Sequence, residues 1–329
     1  MKGLPMSQNP NTRKISTNLI IGILVTQAFL LISFAWPATR SAPHGVTLAV
    51  SAPKNVAAGL GAKFGSDPNH AFKVFIVNDR NSAMKLVANR KAYGAIVIDQ
   101  SGATMIIASG ASPAIASALQ TILAPVISNT LPAGMTLQIQ DVAPNPIHDP
   151  HGVGIGASLI PVIIMTIILG SFLGTRLKGK SKKFVGAFAF TLLSSAVVTF
   201  TMQTLLGAYT GSFFKNYLIV SLGMLAFVFL TLGAVSNLGL KGIPVAAIFL
   251  IVLSFPLSGA QGARELLPAP WGTLGAWLPT GAFNTALRSS SFFNLRGSVA
   301  SIWVLIVWAA IGSALTVVGA AKQELVTNR

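Results

Sequence analysis

The chain has 329 residues, of which 52% are hydrophobic and only 9% charged; an ordinary soluble domain carries roughly 25% charged residues, so a water-soluble globular protein is excluded. Its 23 Lys and Arg outnumber its 7 Asp and Glu, but they lie mostly between apolar runs and are not gathered as a nucleic-acid-binding face requires, which excludes a DNA or RNA partner. The absence of cysteine excludes disulfides, zinc-thiolate sites and thiol catalysis.

Residues 1–18, mostly polar and holding Pro5 and Pro10, read as a cytoplasmic tail. The run 19–36 is uncharged over 18 residues. That exceeds the apolar core of about 7 to 15 residues in a signal peptide, so it reads as an uncleaved first transmembrane helix.

Residues 37–154 have another character. Val46 to Ser51, Phe72 to Asn78, Gly94 to Ile98, Thr104 to Ala108 and Met135 to Gln140 are short, β-branched or aromatic-rich and bounded by turn residues, which predicts strands. Between them, 82–92 is capped by Asp79 or Asn81. The stretch 113–129 places Ile115, Leu119, Ile122 and Val126 on one helical face behind Ser112 and Pro113. Strand–helix alternation predicts a small α/β domain. At its end, His148-Asp149-Pro150-His151 offers two imidazoles and a carboxylate within four residues. Pro150 breaks any helix that would align them and no further ligand is evident, so a polar linker accounts for them without a metal.

Five further apolar runs follow, at about 155–175, 184–210, 217–238, 243–260 and 299–321, each free of Asp, Glu, Lys, Arg and His. With the first run they predict six transmembrane helices, since about 20 apolar residues cross a hydrocarbon core of about 30 Å. Between the second and third runs, GTRLKGKS, Gly174 to Ser181, satisfies the nucleotide-binding pattern G-x-x-x-x-G-K-[ST]. That motif needs a strand before it and a helix of a soluble sheet after it; here both flanks are long apolar helices, so it reads as a basic turn. Ion-driven transporters keep ionisable groups inside the bundle, and their absence from these runs points to an energy source in another subunit. Thr199, Gln203 and Asn237 are the candidates for a polar path, helix-to-helix hydrogen bonding being the plainer role. Gly170 and Gly174 form a GxxxG pair suited to close helix packing.

The segment 261–298 holds Pro268, Pro270 and Pro279 and never reaches the length of a span, which predicts a re-entrant or interfacial outer loop. Arg264, Glu265, Pro279 and Arg288 are its candidate gate residues. The last span is followed by a cytoplasmic tail, 322–329. Under the positive-inside rule, a cytoplasmic amino terminus places eleven basic residues in inner segments and four (Lys215, Arg264, Arg288, Arg296) in short outer loops. Both termini then lie inside and the α/β domain outside the cytoplasm. Trp36, Tyr209, Tyr217, Trp271 and Trp277 would mark the outer boundary.

The fold class expected is therefore a polytopic α-helical membrane protein of six transmembrane helices, with an extracytoplasmic α/β domain between helices 1 and 2 and a five-helix transmembrane domain over 155–321. The segment FPLSGAQGARELLPAPWGTLGAWLPTGAFNTALRSSSFFN, Phe255 to Asn294, with its paired Leu-Pro steps followed by Gly-Ala and Leu-Arg-Ser, resembles the terminal region of the phage-infection-protein-like (YhgE/Pip) membrane proteins. These belong among the bacterial type-2 ABC exporter permeases. AYGAIVID, Ala92 to Asp99, resembles that group's outer domain. The resemblance implies a permease subunit in the bacterial plasma membrane, two chains per unit as a homo- or heterodimer, and export of a lipid-like or amphipathic substrate driven by a separate ATPase. The ATPase would meet the basic turn, making Arg176, Lys178, Lys180, Lys182 and Lys183 its candidate docking residues. No acid, base or nucleophile converges, so no enzymatic activity and no cofactor is expected. The competing expectation is an ATPase-independent envelope protein that acts as a receptor or assembly factor through its outer domain.

Overall fold

The computed structural model describes residues 10–65, 70–100, 102–129, 131, 134–260 and 262–327. Half of the expected amino-terminal tail, residues 1–9, lies outside them, as do Gln261 at the start of the expected outer loop and the last two residues. Helix α1 (Pro10–Thr39) begins ahead of the run predicted at 19–36.

The next segment folds into a five-stranded mixed sheet, β1 (Val46–Ser51), β2 (Phe72–Ile76), β3 (Gly94–Asp99), β4 (Gly102–Ile107) and β5 (Leu137–Asp141), in the order β2-β1-β3-β4-β5. Helices α2 (Lys54–Gly65), α3 (Arg80–Ala88) and α4 (Pro113–Ser128) make the crossovers. β1 is parallel to both β2 and β3, β4 turns back antiparallel to β3, and β5 is parallel to β4. Side chains alternate across a strand. Leu48, Val50, Ile96, Met105 and Ile107 therefore meet Leu60, Ile115, Leu119 and Ile127 of α2 and α4 on one face, while Ala49, Ala95, Val97 and Ile106 meet Ala83 and Val87 of α3 on the other. The caps are as read: Ser112 Oγ accepts from Ile115 N, and Asp79 Oδ1 from Ser82 N at 2.8 Å.

Among the described residues, five helical stretches are long and apolar enough to cross a membrane: Thr17–Thr39, Gly154–Arg176, Lys180–Leu205, Phe213–Ser254 and Val299–Leu325. The helices are α5 (Gly154–Arg176), α6 (Lys180–Leu205), α7 (Phe213–Leu238), α8 (242–254) and α11 (Val299–Thr327). The stretch Phe213–Ser254 is 42 residues long, about 63 Å if straight at 1.5 Å per residue, twice the hydrocarbon thickness. It is not straight. Gly239 takes φ +60°, and a Cβ on Gly242 would lie 2.4 Å from the carbonyl oxygen of Ala234, so α8 turns back against the end of α7.

Helix α7 is the axle of the bundle, with Phe227, Val228 and Leu232 fully buried. Close approach is made by glycines, as lipid-phase packing favours. Gly170 and Gly174 of α5 face Thr231 and Val235 of α7, and Gly312 of α11 lies against the backbone of Phe229 and Leu230. The GxxxG pair thus joins two helices of one chain. By contrast α1, and the outward faces of α6 and α11, leave Leu24, Leu31, Leu193, Val197, Trp303 and Val307 exposed, as a lipid-facing surface requires.

The segment 262–298 forms α9 (Trp271–Trp277) and α10 (Pro279–Phe293). Helix α10 is wedged between sheet and bundle. Phe283 packs edge-on against Phe227 at 5.7 Å, while Phe292 and Phe293 enter the sheet's α3-side core and Ala263 and Leu266 enter the opposite one. Trp36 and Trp271 meet edge to face at 6.1 Å and Trp277 is exposed. Tyr209 is buried, its hydroxyl 2.7 Å from Ser158 Oγ.

Candidate functional site

The basic turn comes first. Arg176 ends α5, Lys180 starts α6, and Gly179 between them takes φ +82°, a conformation that favours glycine. No strand precedes it, so the P-loop match has no structural context. Arg176, Lys178, Lys180 and Lys182 are exposed. Lys183 is not. It is fully buried, and its Nζ donates to Ser236 Oγ at 3.0 Å and Gln323 Oε1 at 2.9 Å, tying α6 to α7 and α11. This corrects two expectations: Lys183 presents no docking charge, and an ionisable group does enter the bundle, because α6 starts four residues before the apolar run suggested.

Thr199, Gln203 and Asn237 are not brought together. Gln203 Nε2 donates to Gly211 O, and its Oε1 accepts from Asn216 Nδ2 at the start of α7. Asn237, at the far end of α7, donates to Gly233 O and to Leu315 O of α11. The 21 positions from Asn216 to Asn237 span roughly 30 Å of helix. Thr199 is buried with its hydroxyl oxygen unpartnered among the described residues. Gln203 and Asn237 thus act as separate helix links, and the three residues do not meet.

Three of the four outer-gate candidates do converge, against residues of the sheet domain. Arg264, Glu265 and Arg288 share a polar cavity of about 210 Å³ with Arg90, Tyr93 and Asn284. Each Glu265 oxygen has a partner: Oε1 accepts from Arg264 Nε at 2.8 Å and Oε2 from the Tyr93 hydroxyl at 2.5 Å. Arg90, at the α3–β3 turn, donates to Thr285 O at 2.9 Å and Ser289 Oγ at 2.5 Å, and lies over the Phe293 ring. Arg288 is 3% exposed and reaches only Gly110 O, at 3.4 Å; its Nε is unpartnered among the described residues. Burial pushes the pKa of Arg90 down, and burial together with the Arg90 charge pushes Arg288 down. Guanidinium groups stay protonated in proteins, so these directions reflect a cost of burying the two charges. Burial and the Glu265 charge push the Tyr93 hydroxyl far above its usual range. Pro279 stands apart, buried at the first turn of α10, where Ser254 Oγ and Thr280 Oγ1 lie 2.6 Å apart.

Sequence reasoning missed Arg90, Tyr93 and Asn284. Arg90 meets Thr285 across 195 residues of chain, and the only local signal is its positive φ of 57°.

Among the larger hollows, two bear on function. One, about 540 Å³, lies between α5 and α6, walled by Val162, Met165, Val197 and Met202 with His148 and Asp149 at its polar end. Asp149 caps α5, accepting from Val153 N and Gly154 N; among the described residues no three His, Asp or Glu gather as a metal site. The other, about 880 Å³, opens at the carboxyl ends of β1 and β3 and beyond β2, lined by Ser51, Val56, Leu60, Asn78, Asp79 and Asp99. No family model, curated protein or solved structure matches this chain.

Proposed function

We propose that this chain is the permease-like transmembrane subunit of an ABC-type exporter in a bacterial plasma membrane, moving a lipid-like or amphipathic substrate outward with energy from a separate ATPase. The observation that carries this reading is the cleft between α5 and α6. Its apolar walls end in His148 and Asp149 on the sheet-domain side, which suits a molecule with an oily body and a polar head. The spans hold no Asp, Glu or His before Glu324 in the last turn of Val299–Leu325, so an ion-relay motor lacks its usual groups. In this reading the turn at Gly239 separates the fourth and fifth of six crossings, both termini are cytoplasmic, and the sheet domain is extracytoplasmic. The exposed Arg176, Lys178, Lys180 and Lys182 offer a cationic face to an acidic groove on the ATPase. Chains pair through the outward faces of α1, α6 or α11.

Purification from native membranes in a mild detergent, with mass spectrometry of co-purifying subunits, tests the reading: an ATPase is expected in the wild type and lost in the Lys178→Glu, Lys180→Glu, Lys182→Glu variant. Retention of the ATPase by a correctly inserted triple variant overturns docking at this turn, and no ATPase in any preparation overturns the exporter reading. The second reading, an ATPase-independent receptor or assembly factor, is favoured by one observation. The 880 Å³ crevice sits at the carboxyl ends of parallel strands, where the chain steps from β1 to β2 on one side and to β3 on the other, and where open α/β sheets take their ligands.

A further inference from the structure

The cavity between sheet domain and α10 has an unbalanced charge. Arg90, Lys91, Arg264 and Arg288 line it against one carboxylate, Glu265, and both oxygens of that carboxylate are already occupied. Asp149 attracts Arg288 only at a distance, its oxygens holding the amides of Val153 and Gly154. Arg264–Glu265 is the only ion pair among the described residues. A buried charge without a partner is strongly destabilising, and proteins retain one where a counter-charge completes it.

Vacant hydrogen-bonding groups on two of the lining residues point to the kind of counter-charge that suits it. Arg288 Nε is an unpartnered donor, and Asn284 Oδ1, one helical turn earlier on the same face of α10, is an unpartnered acceptor. The orientation of the Asn284 amide is fixed because its Nδ2 donates to Ser258 O at 3.2 Å. An ionised carboxylate only accepts, and so satisfies Arg288 but not Asn284. Inorganic phosphate, or a phosphate monoester in its singly ionised form, supplies both charged oxygens for the guanidinium and a hydroxyl for the amide oxygen. At about 210 Å³ the space equals roughly seven waters at about 30 Å³ each, room for one such group with some hydration.

We propose that this cavity is a phosphate-binding site, with Arg288 and Asn284 as direct contacts and Arg90 and Arg264 supplying the surrounding positive field. The phosphate belongs either to a soluble anion or to a lipid headgroup reaching the junction of domain and bundle. The site is independent of whether an ATPase drives the protein, so its test stands apart from the exporter reading.

The full chain in a neutral maltoside detergent would be unfolded thermally, followed by tryptophan fluorescence, in sodium phosphate against sodium acetate and sodium chloride at matched ionic strength. A parallel series would use micelles doped with phosphatidic acid against phosphatidylcholine. A ligand that binds only the folded state raises the unfolding temperature with its concentration. Stabilisation by phosphate identifies a soluble anion; stabilisation by phosphatidic acid alone identifies a headgroup. In either case Arg288→Gln should weaken the apparent affinity at least about tenfold, the loss expected for a hydrogen bond between charged groups. Arg264→Gln, at a half-exposed position, should weaken it less, and serves if Arg288→Gln does not fold. The proposal is overturned if neither probe stabilises the protein more than its control, if acetate does as well as phosphate, or if both variants respond as the wild type does.

Discussion

Tyr93 shows how much one side chain couples the two halves of this molecule. It leaves the sheet domain just before β3 and donates a hydrogen bond from its hydroxyl to Glu265 on the segment that leads into α10. A hydrogen bond to a charged group contributes about 1.5–3 kcal/mol, so Tyr93→Phe should lower the unfolding temperature by several degrees at neutral pH. The pH dependence has a definite sign. Tyr93 has a raised pKa in the folded state because burial and the Glu265 charge oppose ionisation. Its contribution is therefore intact below the unfolded value of about 10, and is lost as pH rises above it, where the unfolded chain releases the proton first. The gap in unfolding temperature between wild type and Tyr93→Phe should narrow from pH 8 to pH 11; a constant gap would show that the folded state does not oppose ionisation of this hydroxyl. Lys183 teaches a different lesson at the same scale. Next to four other basic residues in GTRLKGKSKK it reads as one more surface charge, and only the helical phase of α6 turns it toward Ser236 and Gln323.

At the scale of elements, what could be read from the sequence followed local physics. The strands announced themselves through β-branched runs, and α4 through its cap and its stripe of Ile115, Leu119 and Ile122, although Ile122 turns out exposed where the helix widens into a π turn over Leu119–Leu123. Helix α2 was not legible individually, since Gly59 and Gly61 interrupt its apolar pattern. The role of α10 was hidden because its burial comes from two separate partners, Phe227 in the bundle and the sheet's core. The candidate site was half legible: Arg264, Glu265 and Arg288 stand out as charges in an apolar segment, but their counterparts lie on a distant α/β turn. The pairing of α7 with α11 depends on Gly312, where a Cβ would lie 2.5 Å from Leu230 N. Gly312→Leu should therefore force the two helices apart, at a cost of about 1–3 kcal/mol or more. Gly22→Leu, with nothing within 4 Å of its Cβ position, should leave the unfolding temperature of the detergent-solubilised protein unchanged. Equal behaviour of the two variants would contradict the α7–α11 packing described.

The whole molecule is organised by an asymmetry of ends. Lys183, Ser236 and Gln323 meet at one end of the bundle, beside the exposed Arg176, Lys178, Lys180 and Lys182. The sheet domain docks at the opposite end through Arg90–Thr285 and Tyr93–Glu265. Short basic loops resist translocation while folded domains cross largely regardless of charge, so this arrangement sets the orientation proposed: basic turns inside, sheet outside. Both the proposed ATPase docking face and the proposed export cleft depend on it. Because the chain has no cysteine, single replacements give an unambiguous readout. Gln120→Cys on α4 and Ser181→Cys in the basic turn, both at exposed positions, would be treated in intact cells with a membrane-impermeant maleimide. The proposed topology predicts labelling of Gln120→Cys in intact cells and of Ser181→Cys only after permeabilisation. Labelling of Ser181→Cys from outside, with Gln120→Cys protected, would contradict it.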